Sequence, residues 1–150
     1  MRCQLSKVRL WLRKPWTIGH VHSGALGWVA MVSVGALYHM VERMWGTTMY
    51  SVKLVNLHFW MATIGTAIYI TAMWVSGIMQ GLMWRAYDEY GNLAYTFVES
   101  VAQMHPYYAM RAIGGLIFFL GAVIMLFNVT VTIRRAIAKP SAEMATAANI

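Results

Sequence analysis

Three stretches without a formal charge, residues 15–41, 54–84 and 112–133, set the strongest limit on what this chain can fold into. A helix rising about 1.5 Å per residue needs about 20 apolar residues to cross a hydrocarbon layer roughly 30 Å thick. All three stretches are long enough, and the second has surplus length for tilt or for reaching into water. With 59% hydrophobic and 11% charged residues, the chain is far from the balance of an ordinary soluble domain. Trp16, Trp45, Tyr50, Trp84, Tyr87, Tyr107 and Tyr108 fall near the ends of the stretches, where an aromatic belt belongs. The expected fold class is therefore all-α and integral to a membrane, with three transmembrane helices over about residues 17–41, 54–84 and 107–133. A basic segment, 1–15, precedes them, and a mobile tail, 140–150, follows.

The net charge of +7 would suggest nucleic acid in a soluble protein, but here it flanks apolar spans. Orientation in the bilayer and attraction to anionic lipid account for it, and no nucleic-acid partner is expected. The first connection and the C-terminal tail carry Arg43, Lys53, Arg134, Arg135 and Lys139. The second connection carries Asp88, Glu89 and Glu99 against Arg85 and Arg111. The C-terminus is accordingly expected on the cytoplasmic side. Arg2, Lys7, Arg9, Arg13 and Lys14 then fall on the side where basic residues are disfavoured. Two readings of that segment stand: an interfacial amphipathic helix with Leu5, Val8 and Leu12 on one face, or the new start of a truncated or rearranged gene. The single cysteine, Cys3, cannot form an internal disulfide, and no CxxCH string offers covalent attachment to a c-type haem.

The most informative residues are His20 and His22, in the string TIGHVHSGALGW at the mouth of the first span. Ionisable groups in an apolar span are costly and usually functional. At about 100° per residue, positions i and i+2 leave nearly opposite sides of a helix, so the two imidazoles cannot hold one metal together. The pair suits two separate centres, and haem iron is the natural candidate because it takes a neutral imidazole and its macrocycle can lie between helices. Gly24, Gly27 and Gly35 follow His20 at spacings that put them within about a third of a turn of its direction. They leave either room for a macrocycle or close helix packing.

From Trp16 onward the sequence resembles the catalytic subunit of haem-copper respiratory oxidases, most closely the cbb3-type cytochrome c oxidases. The strings that carry the resemblance are TIGHVHSGALGW, KLVNLHFWMATIG, SGIMQGLMWRAYDEYG and HPYYAMRAIGG, in that order. The resemblance implies that residues 16–139 are the last three helices of a twelve-helix bundle. It also implies that His20 ligates the high-spin haem b and His22 the low-spin haem b, both toward the outer side of a bacterial inner membrane. The copper ligands, the crosslinked tyrosine and the second low-spin ligand would come from earlier helices, so copper reaches this chain only through them. The implied partners are those remaining helices of subunit I, the c-type cytochrome subunits and the lipid bilayer. The implied activity is electron transfer from cytochrome c to dioxygen coupled to proton translocation, with no turnover expected of the isolated chain.

Arg111 is expected either to snorkel at the outer end of the third span or to pair with a haem propionate. His39, His58 and His105 fall outside the family's ligand positions and read as hydrogen-bonding or interfacial histidines. Gly114, Gly115, Gly121 and Ala122 form a small-residue face expected to meet another helix. Two other functions stand behind the leading one: a nitric oxide reductase large-subunit fragment, and a small non-enzymatic membrane protein that binds haem or docks with an oxidase.

Overall fold

The computed structural model describes the backbone of residues 15–147 and the side chains of residues 15–139. The basic segment 1–14 and its possible amphipathic helix lie outside the described residues. Among the described residues the chain is helical, with one isolated antiparallel bridge, Tyr87 to Leu93, and no strand. Three helical runs are long and apolar enough to cross a membrane. The first is built from α1 (Pro15–His22), a π-helical segment (Ser23–Ala30) and α2 (Met31–Trp45). The second is α3 (Val52–Met83); a short α4 (Phe97–Ala102) leads to α5 (His105–Ala147), which forms the third.

Local chemistry sets the ends of these elements. Gly46, at φ 56°, closes α2 in the left-handed conformation, and Glu42 O accepts from its N–H. Ser51 caps α3 by accepting from Leu54 N at 3.4 Å. At the second connection the Asp88 carboxylate accepts from the N–H groups of Tyr90 and Asn92 at 3.0 and 2.7 Å, and Gly91 takes φ 79°. Thr96 and Glu99 then form a reciprocal capping box at the start of α4. The Thr96 backbone N–H, and after it the Thr96 hydroxyl, hold the Glu99 carboxyl below the usual carboxylate range. Pro106 occupies the first turn of α5, where its missing N–H leaves no bond unmade.

Two features depart from the expected spans. Helix α5 continues through residues 140–147, beyond the expected start of the tail and past Pro140. The first span is not α-helical throughout: from Ser23 to Ala30 it runs with i→i+5 hydrogen bonding. Such turns are wider than α-helical ones, so the 100° spacing does not carry past His22. Gly24 and Gly35 accordingly face open space, whereas Gly27 lies 4.0 Å from the Thr66 methyl by its would-be Cβ. The three glycines do not line one groove beneath His20.

The three runs pack antiparallel in sequence order, with α3 and α5 closest. An added Cβ on Gly65 would lie 2.7 Å from Gly114 O, and one on Gly114 would lie 2.8 Å from Gly65 O. Only backbones without side chains between them approach so closely. Gly121 likewise meets Met61 and His58, as expected of the small-residue face, while Gly115 meets nothing within 4 Å. At the end bearing Lys53, Arg134 and Arg135, here called the basic end, Val41, Met49 and Val129 form a buried cluster with Tyr38 and Val55 against it.

Polar side chains close that end. Asn128, fully buried, accepts from Ser51 N at 3.1 Å and donates to Ser51 O at 3.0 Å. The Thr132 hydroxyl accepts from Tyr50 N at 3.0 Å, and the Glu42 carboxylate accepts from Met49 N at 3.0 Å. Three consecutive N–H groups of the first connection are thereby satisfied by side chains, two of them from α5. The opposite condition holds for the outer surface of the first span, where only 6% of the most apolar window is buried and Trp28 is 72% exposed.

Candidate functional site

His22 is the last residue of α1, immediately before the π-helical segment. Its Nδ1 lies 2.8 Å from Ile18 O, one turn back. A carbonyl can only accept, so Nδ1 carries the hydrogen and the lone pair is on Nε2. A neutral imidazole held in this way is the form that binds a metal, with its second nitrogen anchored to orient the ring. The ring leans on Tyr69 of α3, with centroids 5.1 Å apart and planes at 40°.

Around His22 the three spans leave a crevice of about 200 Å³, lined by Leu26, Gly65, Thr66, Tyr69, Gly114, Gly115 and Phe118. The glycines make it: Gly65 and Gly114 bring α3 and α5 together at its base, and Gly115 leaves space beside them. Thr66 Oγ1 is buried there without a hydrogen-bond partner. A buried hydroxyl with no partner costs about 1–3 kcal/mol and marks a place where a further group belongs. The fixed tautomer and the side-chain-free wall fit an edge of a flat, apolar macrocycle ligated at His22 Nε2, and the Thr66 hydroxyl calls for a polar partner beside it.

His20 points elsewhere. Its ring is exposed and stacks parallel on Trp16, with centroids 5.7 Å apart and planes at 1°. Its backbone carbonyl accepts from the Ser23 hydroxyl at 2.6 Å, a bond at the α-to-π junction that leaves the ring free. The two imidazoles therefore diverge, as the i, i+2 spacing requires. One faces the interior crevice and the other the outer surface of the least-buried span.

Arg111, near the start of α5, is half-buried. Its guanidinium lies 5.4 Å from the Tyr108 ring centroid and 3.8 Å from Met73 Sδ. Met73 is one turn of α3, about 6 Å of rise, beyond Tyr69. Arg111 thus sits a turn from the His22 crevice toward the second connection, on the same helix interface, against an aromatic face and a thioether. The other histidines lie apart from this region: His105 is near Tyr108, with centroids 6.4 Å apart, and His58 bonds to Tyr38 toward the basic end. Among the described residues no group of three or more His, Cys, Asp or Glu side chains could hold a metal ion.

Sequence reasoning singled out Gly114 and Gly115 of α5 as a helix-packing face but missed Gly65, Thr66 and Tyr69 of α3, which wall the crevice with them. Gly65, Tyr69 and Met73 recur at i, i+4 and i+8, a spacing that puts them on one helix face and was there to be read. Nothing in the sequence, however, says that this face meets His22 rather than lipid.

The family model described as cytochrome c and quinol oxidase polypeptide I matches residues 11–117. The cbb3-type cytochrome c oxidase subunit CcoN1 of Stutzerimonas stutzeri is 57% identical over 136 residues, which are 90% of this chain and 28% of that protein. A bacteroid cytochrome c oxidase subunit 1 homologue of Bradyrhizobium diazoefficiens is 61% identical over 120 residues, 79% of this chain and 22% of that protein. A cytochrome c oxidase subunit 1 homologue of Agrobacterium tumefaciens is 59% identical over 119 residues, with the same shares covered. The chain thus spans about a quarter of the length of these relatives.

Proposed function

The chain belongs to the family of cytochrome c and quinol oxidase polypeptide I, and from that premise we propose that it is the C-terminal, haem-ligating part of a cbb3-type catalytic subunit. The observation that carries this reading is His22, whose Nδ1–H is anchored on Ile18 O and whose Nε2 is left to ligate from the wall of a glycine-lined crevice. His22 holds the low-spin haem b and His20, on the divergent side, the high-spin haem b. When bound, the haems supply the electron transfer from cytochrome c and, with copper on earlier helices, the reduction of dioxygen. This chain's part is to orient one imidazole toward each haem and to keep the two centres on opposite sides of a single helix, with Val21 alone between them in sequence.

Arg111 would pair with a propionate of the haem held by His22, where its charge would offset an acid that otherwise faces low dielectric. Tyr108 and Met73 position it by packing. The basic end, with Lys53, Arg134 and Arg135, lies on the cytoplasmic side of a bacterial inner membrane, and the remaining helices of subunit I cover the exposed face of the first span.

The test is a titration of the purified full chain, in detergent, with iron protoporphyrin IX, read by absorbance and by magnetic circular dichroism. With one axial imidazole for each haem in this chain, both should bind as high-spin, five-coordinate species, and His22→Ala and His20→Ala should each remove one of two bound equivalents and leave the other in place. If the double variant binds the porphyrin as the parent does, at unchanged far-ultraviolet circular dichroism, both ligand assignments fail.

A further inference from the structure

The function proposed above does not use His58, yet no other imidazole among the described residues is so buried, with 4% of its surface exposed. It lies in α3 seven residues from Ser51, about 10 Å of rise from the basic end. Tyr38 lies at the matching depth in α2, seven residues before Trp45. Tyr38 Oη and His58 Nδ1 are 3.0 Å apart, and their rings meet edge to face with centroids at 5.9 Å. The pair borders a cavity of about 330 Å³ between the first and second spans, which also takes in Gly35, Asn56 and Phe59. That volume has room for several waters, and Tyr38, His58 and Asn56 are the polar residues on its otherwise apolar wall. The imidazole Nε2 makes no hydrogen bond within the protein and is not among the fully buried unpartnered atoms, so it is open to the cavity that the residue lines. A buried imidazole bonded at one nitrogen and left unbonded at the other, beside a water-sized cavity, is arranged to gain a proton.

We propose that Tyr38 and His58 form a proton-binding site, loaded through this cavity, in the part of the membrane nearest the basic end. The proton adds to His58 Nε2 from water. Before and after this step His58 donates Nδ1–H to Tyr38 Oη, whose own hydrogen points to the cavity, so that Nε2 holds the lone pair in the neutral ring and the bond becomes charge-assisted in the imidazolium. On release the same proton leaves from Nε2, and no other bond changes. The surroundings bring no competing charge. From the first span the group against His58 is Tyr38, and from the third it is Gly121, whose added Cβ would lie 3.4 Å from the His58 ring edge. On its own helix, Lys53 stands more than a turn away, and Glu42 of α2 is turned to Met49 N. Gly35 keeps the cavity open, since an added Cβ there meets nothing within 4 Å. This site stands on residues that do not touch the haem-ligand crevice, so it is tested without haem.

The experiment is nitrogen-15 solid-state NMR of the full chain in phosphatidylcholine vesicles, with labelled histidine, from about pH 5 to 8. His58→Gln assigns the resonances, and His105 serves as internal reference. The expected result is a His58 imidazole that gains a second N–H within this range. Tyr38→Phe removes the acceptor of the charge-assisted bond and should lower proton affinity about tenfold, moving the midpoint down by roughly one pH unit. Gly35→Leu displaces the water and should also move the midpoint down. A His58 that stays neutral to pH 5, or a midpoint that either substitution leaves in place, overturns the site.

Discussion

Replacing Gly114 with Ala, and separately its neighbour Gly115, isolates the close backbone contact on which the His22 crevice is built. At Gly114 the new methyl would lie 2.8 Å from Gly65 O and 2.9 Å from Tyr69 N, both backbone atoms that cannot rotate away. Ordinary contact begins near 3.4 Å, so α3 and α5 must separate by about 0.6 Å along their length or bend. Overpacking of this kind costs typically 1–3 kcal/mol, and with backbone on both sides the upper half of that range applies, about 2–3 kcal/mol. At Gly115 the same methyl meets nothing within 4 Å. Both substitutions gain the same helix propensity, about 1 kcal/mol, so the difference between the two variants leaves the overpacking alone. That difference amounts to about a 30- to 150-fold change in the unfolding equilibrium. It can be read from unfolding of the full chain in mixed detergent micelles, followed by tryptophan fluorescence and far-ultraviolet circular dichroism together. Equal stability of the two variants, or a more stable Gly114→Ala, would refute the claim that α3 and α5 touch through these glycines.

Other outcomes follow from the same geometry. Asn128→Leu should destabilise the chain by about 1–3 kcal/mol, because it leaves Ser51 N–H without its partner while Ser51 O keeps Val55 N, and amide exchange at Ser51 should rise with it. The Glu99 carboxyl is held below its ordinary range, so its stabilisation of α4 is present above the ordinary carboxylate value and is lost as pH falls through the depressed one. Glu99→Gln keeps the capping box and should remove that acid dependence, as amide exchange across α4 will report. In an assembled oxidase, Arg111→Leu should shift the midpoint potential of the low-spin haem, and an unmoved potential rejects the propionate pairing.

The three crossings were legible because charge is excluded from lipid over a known thickness, which residues 15–41, 54–84 and 112–133 satisfy without any tertiary information. The divergence of His20 and His22 was legible for a similar reason, since two residues in an α-helix fix an angle, and α1 is still α-helical through His22. Beyond that residue the reading failed. The change to i→i+5 bonding from Ser23 carries no local signature that separates it from any Gly-containing apolar helix, so the alignment of Gly24, Gly27 and Gly35 under His20 was an artefact of assuming one period. The Tyr38–His58 and Ser51–Asn128 bonds were out of reach for another reason: they join residues 20 and 77 positions apart. Only the register between helices creates such pairs, and hydropathy does not encode register.

The Ser51–Asn128 bond also bears on the order in which the molecule is made. The connection between the first two spans emerges from the ribosome long before α5, yet two of its N–H groups find their acceptors only in Thr132 and Asn128. A hairpin of the first two spans therefore cannot settle fully into the bilayer as an independent unit. Its turn stays hydrated at the water-facing rim until the last helix arrives to complete it. The third span thus acts as the latch of biogenesis, and cutting the nascent chain before Asn128 should leave a loop that is open to proteases from the side bearing Lys53.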